Sequence, residues 1–234
     1  MAIILSEKEN VITIHTKNST YQMKADAQGM LFHTYYGSRI DETDMSYRIC
    51  SQDRGFSGNP YAMGVVDRAY STDLYPQEYS CFGTGDFRIS GLHVRNQDGS
   101  RGCELRFVKA TVEDGKYGLE GLPAVYADKA ESLKVVLKDP YSGIEVELLY
   151  GVLEELDVIT RTARISNLGS AQVFLEKAAS LSVDWNDEDF DFITFYGRHN
   201  KERTFQRENV SHGIQSIGNV RGNSSHHYNP FSFL

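Results

Sequence analysis

Short runs of alternating or β-branched apolar residues recur along most of this chain. Because successive side chains of a strand point to opposite faces of a sheet, such runs predict half-buried strands. The runs cover residues 11–16, 20–24, 30–36, 88–94, 103–113, 133–137, 144–153, 158–166 and 173–184. No segment keeps a helical period over three turns. About a dozen strands at short spacing predict an all-β fold, a large antiparallel β-sandwich with few or no long helices.

The stretch 193–231 is rich in cationic and aromatic residues and has no 3.6-residue period. Alternation at Phe192, Thr194 and Tyr196, and again over 210–217, predicts two β ribbons joined by polar turns. Nearer the middle, Gly83 and Gly85 form a Gly-x-Gly pair followed by Arg88. It predicts a tight turn and not a dinucleotide site, because no strand–helix unit surrounds it.

Between residues 49 and 79 the alternation stops, and glycines and prolines supply the chemistry of a long loop. Several tyrosines in it argue against disorder, because such a composition can bury surface. We expect an ordered loop that packs on something, and an association into a dimer or larger oligomer partly through Tyr61, Tyr70 and Tyr75.

Composition narrows the class of partner and the compartment. The net charge of −8 disfavours nucleic acid and anionic membranes. No apolar window is long enough for a membrane span, and residues 1–10 do not have the pattern of a signal peptide. Three cysteines, Cys50, Cys81 and Cys103, are an odd number without short spacing. They predict neither a disulfide framework nor a metal knuckle, so a reducing cytoplasm is the simplest expectation.

Two groups of residues could carry chemistry, and each has a plainer explanation. The acidic group at 184–191 could bind calcium, but the spacing lacks the glycine and glutamate of an EF-type loop, so a solvated turn is favoured. His199, His212, His226 and His227 could bind zinc or act as bases, yet no H-E-x-x-H helix or cysteine accompanies them. No metal and no cofactor is expected. Trp185, the single tryptophan, is expected in the core at a strand end.

Several motifs in a fixed order point to one family. They are Leu31 to Gly37 with Arg39-Ile40, Pro76-Gln77-Glu78-Tyr79, Phe82 to Arg88, Phe195-Tyr196-Gly197-Arg198 with Glu202-Arg203, Ser211-His212-Gly213, Ser224-Ser225-His226 and Asn229-Pro230-Phe231. Together they resemble the N-terminal domain of the α-galactosidases of glycoside hydrolase family 36, and the resemblance covers nearly all of the chain.

The resemblance implies an N-terminal β-supersandwich over residues 1–234, cut before its last strands, whose catalytic (β/α)8 barrel is absent. The parent enzyme would remove terminal non-reducing α-D-galactose from raffinose- or melibiose-type sugars with retention, as a cytoplasmic homotetramer. The two catalytic aspartates of the family lie on the barrel, so no catalytic residue is expected here and the chain alone should be inactive. The exact galactoside, or a preference for N-acetylgalactosamine, stays open.

The resemblance also implies a substrate-binding site at Asp53, Arg54 and Phe56. In bacterial members this loop reaches the sugar pocket of a neighbouring subunit, so the galactoside would bind together with a neighbouring barrel. A carboxylate can accept from two vicinal hydroxyls while an aromatic ring covers the apolar face of a sugar. A loop ion pair with a packed ring remains the plain alternative. For the whole chain, the alternatives are a stand-alone carbohydrate-binding module and a structural interaction module.

Overall fold

In a computed structural model, the chain is described over residues 2–51, 69–185, 189–220, 227, 229 and 231–234. It divides into two units, Met1–Asp184 and Trp185–Leu234. The described residues form 12 strands, no helix longer than one short turn, and antiparallel pairing throughout the sheets. The all-β prediction is confirmed.

Ten strands belong to the first unit, and their burial reflects the alternation of the sequence. One sheet has the order β1-β2-β3-β4 and another the order β6-β7-β8-β9, while β5 and β10 form a ribbon. The strands are β1 Ile3–Ser6, β2 Val11–His15, β3 Ser19–Ala25, β4 Leu31–Ser38, β5 Leu92–Asn96, β6 Arg106–Asp114, β7 Glu131–Lys138, β8 Ile144–Leu153, β9 Val158–Asn167 and β10 Val173–Ala178.

One apolar core joins the two four-stranded sheets. Ile14 and Met23 of the first sheet and Leu133 and Leu148 of the second are each 0% exposed and belong to the same cluster. Their inward positions follow from the alternation of apolar and polar residues, and their burial supplies the main stabilisation of a sandwich. Short 3-10 turns, Met45–Arg48 and Glu154–Leu156, lie outside the strands.

The second unit contains one hairpin, β11 Asp191–Arg198 and β12 Lys201–Asn209. Asn200 turns the chain with a φ of 62°, a value that asparagine tolerates better than most residues. Phe195 and Phe205 are directly opposite each other, with ring centroids 5.7 Å apart.

Several predicted boundaries are wrong. The run 88–94 becomes a strand only from Leu92, because Arg88 is held to Asp86 in a turn by its backbone N–H and its guanidinium. The run 103–113 becomes a strand from Arg106, and the run 173–184 stops at Ala178.

The second predicted ribbon, over 210–217, is also wrong. That segment has no strand, and it includes Gly213 at a φ of 116°. The strand lies instead at β12, whose residues are almost all exposed and polar and therefore show no alternation. Trp185 is 39% exposed, so its expected place in the core is wrong; its ring contacts that of Phe190.

The three cysteines are free; Cys50 is exposed, whereas Cys81 and Cys103 are buried. A hydrogen bond with Cys103 and burial raise the pKa of the Cys81 thiol. Within the described ranges no helix has the length and apolarity needed to cross a membrane.

The shared core predicts the effect of truncating Leu148, which is 0% exposed. Leu148→Ala should lower the free energy of unfolding by about 3 kcal/mol, because it removes buried methyl groups and leaves a cavity. Urea denaturation of the chain measures this loss. Leu156→Ala is the matched control: Leu156 is 59% exposed, and its loss should stay within about 0.5 kcal/mol. Equal losses at the two positions would contradict the assignment of the core.

Candidate functional site

The candidate site is the base of the loop that contains the predicted sugar-binding residues. Asp53, Arg54 and Phe56 themselves lie outside the described residues, as does Tyr61. Within the predicted loop of residues 49–79, the structure describes Ser51 before these residues and Ala69 after them, which are called the loop ends below, and what holds both.

Tyr75 joins the two ends of the loop. Its hydroxyl lies 2.8 Å from the hydroxyl of Ser51 and donates to the carbonyl oxygen of Ala69 at 3.2 Å. The Tyr75 ring is 4% exposed and meets the rings of Phe32 and Tyr70 edge-on, each with centroids 5.2 Å apart. One buried side chain therefore fixes the entry and the exit of the loop on the first sheet.

Tyr70 adds a second attachment, to the turn between β3 and β4. Its hydroxyl donates to Asp26 Oδ2 at 2.8 Å, while Asp26 Oδ1 accepts from the backbone of Gln28 and Met30. Burial first, and then the neighbouring Asp26, raise the pKa of Tyr70, so its hydroxyl stays a donor.

The expected association through Tyr61, Tyr70 and Tyr75 stays a prediction, and the structure describes what two of these tyrosines contact within the chain. Tyr75 packs in a cluster with Met30 and Phe32, and Tyr70 packs against this cluster. The ring of Tyr75 is therefore covered by the chain's own sheet, whereas Tyr70 is only partly buried. Tyr61 lies outside the described residues.

Beneath this cluster, Arg88 holds the segment after the loop in place. Its Nη2 donates to the carbonyl oxygens of Thr72 and Tyr75, both at 2.9 Å. Its guanidinium also pairs with Asp86 at 2.9 Å and with Asp184 at 3.1 Å. Burial opposes the charge, but the hydrogen bond with Asp86 and the nearby carboxylates give a net rise in the pKa of Arg88.

The sequence suggested a solvated turn for Asp184, but the structure holds its side chain in contacts with other residues. One of its oxygens accepts from the backbone N–H of Gln77 at 3.0 Å and pairs with Arg88. Burial, only partly offset by Arg88, raises the pKa of Asp184. Of the other acidic residues of that group, Asp191 pairs with Arg207, whereas Asp187 and Glu188 lie outside the described residues, as does His226.

Glu78 is the charged residue on which this arrangement is built. It is 0% exposed and accepts from Tyr21 at 2.6 Å, from Tyr150 at 2.5 Å and from Arg161 Nη1 at 2.5 Å. These partners stand on β3, β8 and β9, so both large sheets contribute. The backbone N–H of Glu78 donates to the carbonyl oxygen of Leu31, and this bond holds the segment that contains Glu78 beside β4. We call Glu78 and these three side chains the buried charge cluster.

Protonation in this cluster is set by its surroundings. Burial, then Glu78, raises the pKa of Tyr21, and burial likewise raises the pKa of Tyr150. Burial would lower the pKa of Arg161, yet the neighbouring Tyr150 and Glu78 outweigh it and raise that pKa. The cluster is therefore an arginine–carboxylate pair to which two neutral phenols donate.

Next to the cluster, His33 Nδ1 lies 3.7 Å from Glu78. Burial lowers the pKa of His33, although the neighbouring Glu78 acts in the opposite direction. Neutral imidazole is thus the form that the fold favours.

The described carboxylates of this region are structural. Asp86 and Asp184 both pair with Arg88, and Glu78 pairs with Arg161. These ion pairs give each of the three carboxylates a partner within the chain's own fold. Among the described residues, no group of three or more His, Cys, Asp or Glu side chains is arranged to hold a metal ion.

The structure defines a double-sheet β domain that holds a long loop from both sides. Comparison with known proteins identifies it: the family model "Glycosyl hydrolase family 36 N-terminal domain" matches residues 29–234. The chain belongs to this family, as the sequence motifs predicted.

The related proteins are α-galactosidases. The chain is 48% identical, over 100% of its own length and 25% of the relative's, to the bifunctional α-galactosidase/sucrose kinase AgaSK of Mediterraneibacter gnavus. It is 39% identical, over 99% of the chain and 32% of the relative, to α-galactosidase Mel36A of Lactobacillus acidophilus.

Solved structures agree with these matches. The galactosidase domain of AgaSK superposes with a TM-score of 0.92 over 98% of this chain and 32% of that one. A variant of α-galactosidase AgaA from Geobacillus stearothermophilus in complex with raffinose superposes with a TM-score of 0.89, at 36% identity, over 95% of this chain and 31% of that one. The chain thus spans between a quarter and a third of the length of these relatives, and a stand-alone module is not favoured.

Sequence reasoning missed Glu78, Arg161 and Tyr75 as the residues that organise the site. Glu78 is part of the Pro76-Gln77-Glu78-Tyr79 motif, which in the sequence indicates the family and not a buried charge. A charged residue between a proline and tyrosines was the available signal. Its partner, Arg161, is 161 − 78 = 83 positions further along the chain, and no local pattern could connect the two.

The buried charge cluster predicts a strong asymmetry between single and double replacements. Glu78→Gln should lower the free energy of unfolding by about 3–5 kcal/mol, because it leaves Arg161 buried without its counter-charge. Glu78→Gln with Arg161→Met should lose less than the sum of the two single losses. Chemical denaturation measures the free energy of unfolding of the unaltered chain, the two single variants and the double variant. Glu147→Gln is the control, because the ion pairs that it breaks are more exposed to solvent. It should lower the free energy of unfolding by at most about 1 kcal/mol. Additive losses at Glu78 and Arg161 would contradict the pairing.

His33 predicts a loss of stability in mild acid. Because its pKa is lowered in the fold, the unfolded chain binds more protons below about pH 6.5, so stability falls with pH there. The contribution of His33 is fully present above about pH 6.5 and is lost as the pH falls through the lowered pKa. Unfolding free energies measured at about pH 7.5 and about pH 5.5 should fall less in His33→Gln than in the unaltered chain. The same fall in both proteins would rule out this role for His33.

Proposed function

We propose that this chain serves as the N-terminal, non-catalytic domain of an α-galactosidase, where it shapes the substrate pocket and the oligomer interface. The whole enzyme would hydrolyse terminal non-reducing α-D-galactose from raffinose- or melibiose-type galactosides with retention of configuration. It would need no cofactor. The two carboxylates of the reaction would lie on a (β/α)8 barrel outside these 234 residues.

The family match over residues 29–234 is the observation that carries this proposal. The relatives over the full chain are named α-galactosidases, and one of their structures contains raffinose. The anchored loop base supports the proposal from the structure. A domain that contributes a substrate-binding loop must fix both ends of that loop, and Tyr75 does this from a buried position.

Within that pocket we propose roles for Asp53, Arg54 and Phe56. Asp53 accepts hydrogen bonds from two neighbouring galactose hydroxyls, Arg54 balances its charge, and Phe56 covers the apolar face of the ring. Hydrogen bonds to a charged group are each worth about 1.5–3 kcal/mol, so Asp53 would be the largest single contribution of the loop to binding.

Assembly and location follow from the same proposal. The loop would reach the sugar pocket of a neighbouring subunit in a homo-oligomer, a tetramer as the resemblance implies. The free thiols of Cys81 and Cys103 fit a reducing, cytoplasmic compartment. A net charge of −8 fits a neutral sugar partner better than nucleic acid or a membrane surface.

A chimera tests this function. The 234 residues would replace the corresponding segment of AgaSK from Mediterraneibacter gnavus, which is 48% identical over the whole chain. We expect the chimera to hydrolyse an aryl α-galactoside, whereas the chain alone should not. Asp53→Ala in the chimera should raise KM for raffinose by about 10–100-fold, because it removes hydrogen bonds from a charged acceptor.

A matched pair of variants connects the loop base to the same assay. Tyr75→Phe removes the hydroxyl that joins the loop ends and should raise KM in the same direction as Asp53→Ala, by a smaller factor. Tyr47→Phe removes a hydroxyl from a side chain that is 72% exposed and should leave KM unchanged. An active chimera whose KM is insensitive to Asp53→Ala would refute the role of the loop, and hydrolysis by the chain alone would refute the non-catalytic assignment.

A further inference from the structure

An open groove with a mixed polar and apolar lining lies at one end of the first unit. It has a volume of about 810 Å³ and is lined by three turns, which follow β5, β7 and β9. This volume falls in the range of about 300–1,000 Å³ that is usual for small-molecule sites. We call it the three-turn groove, formed by residues 96–102, 138–143 and 169–173.

The wall after β7 is held rigid by Asp139, which is 1% exposed. Its Oδ2 accepts from the backbone and the hydroxyl of Ser142, and its Oδ1 accepts from the backbone of Tyr141 and Glu104. These bonds use both oxygens of the carboxylate. Asp139 therefore sets the shape of the turn and is not available to bind a ligand.

Two glycines bring the wall after β9 against the wall after β7. A Cβ on Gly143 would lie 2.8 Å from Gly169 Cα, and one on Gly169 would meet the carbonyl oxygen of Ser142. Contacts under about 3 Å are not found for real side chains, so only glycine allows this approach. The backbone N–H of Leu168 donates to Gly143 and closes the contact at 3.0 Å.

The turn after β5 and the end of β9 have their own internal bonds. Asn96 Nδ2 donates to Ser100 at 3.1 Å and to the Gly102 carbonyl at 3.3 Å. Asn167 Nδ2 donates to the Ala171 carbonyl at 2.8 Å. The frame of the groove is therefore already formed, and binding would cost little reorganisation.

A second set of side chains takes no part in this frame. The side chains of Gln97, Tyr141 and Gln172 make no hydrogen bond within the part of the chain that the structure describes, and the same is true of Ser170 and Lys138. They offer two amides, two hydroxyls and one ammonium group, which together can donate and accept. Tyr141 adds an aromatic face that is 72% exposed.

This combination selects the class of ligand. Mixed donors and acceptors beside an open tyrosine ring suit a neutral molecule with many hydroxyls and an apolar face. The ammonium group of Lys138 and the carboxylate of Asp98 both line the groove, so little net positive charge is left for an anion. We propose that the three-turn groove binds a neutral oligosaccharide, with Tyr141 stacked on one sugar ring and the glutamines bonded to its hydroxyls.

This site goes beyond the proposed function. Its residues are separate from Asp53, Arg54 and Phe56, and it needs neither a barrel nor a neighbouring subunit. In an enzyme that acts on oligosaccharides, a second site would hold substrate near the reaction and raise its effective concentration.

Calorimetric titration of the 234-residue chain with raffinose, and with maltotriose as a sugar without galactose, tests the inference. We expect saturable binding of raffinose with a Kd near ~1 mM, typical of a small polar ligand at an open site. Tyr141→Ala should weaken it at least about tenfold, and Gln97→Ala by a smaller factor. Tyr126→Ala removes a tyrosine that is 82% exposed outside the groove, and it should bind as the unaltered chain does.

The remaining outcomes separate this site from the loop. Asp53→Ala should leave the titration unchanged; binding that is lost in Asp53→Ala and kept in Tyr141→Ala would overturn the inference. So would the absence of saturation with both sugars. Equal binding of raffinose and maltotriose would support a site for neutral oligosaccharides in general. Failure of the chimera to hydrolyse a galactoside would refute the proposed function and leave this titration as it stands.

Discussion

The buried carboxylate of Glu78 constrains the whole first unit. Moving one ion out of water costs several kcal/mol even in a relaxed protein, and the cost is offset only when the geometry of its partners is nearly ideal. Glu78 meets that condition through Arg161 and two tyrosine hydroxyls that come from both large sheets. The two sheets must therefore keep one spacing, and the segment that contains Glu78 must stay inserted between them. Apolar packing alone would tolerate small shifts of one sheet over the other, whereas this cluster does not.

The loop base inherits its position from that cluster. Tyr75 and Gln77 flank Pro76 immediately before Glu78, so fixing Glu78 also fixes where the tyrosine hydroxyl and the glutamine amide can reach. Gln77 donates to Asp86 at 2.7 Å, which links the segment to Arg88. The chain of contacts thus runs from the core, through the segment after the loop, to the two loop ends. A change in the core would be transmitted to the loop without any contact between them.

The sequence predicts those parts of this fold in which burial is one-sided and local. β8 alternates over its first four residues, before six that are all buried, and its hairpin with β7 closes where the Asp-Pro-x-x-Gly turn predicted. β12 was missed because nearly all its side chains are exposed, so alternation has no cause there. The strand predicted from Arg88 was wrong because the Arg88 guanidinium bonds to backbone carbonyls, and these bonds set the conformation of that segment. The buried charge cluster joins residues far apart in the chain, and neither hydrophobic period nor propensity contains that information.

The anchored base also bears on the binding role that we propose for this loop. Bringing the two ends of a loop together costs conformational entropy, and this cost grows slowly with loop length. In this chain the closure is achieved on folding, by Tyr75 and the aromatic cluster around it, and is offset by buried area. If the loop binds a sugar as proposed, the sugar does not have to supply that closure from its own few hydrogen bonds.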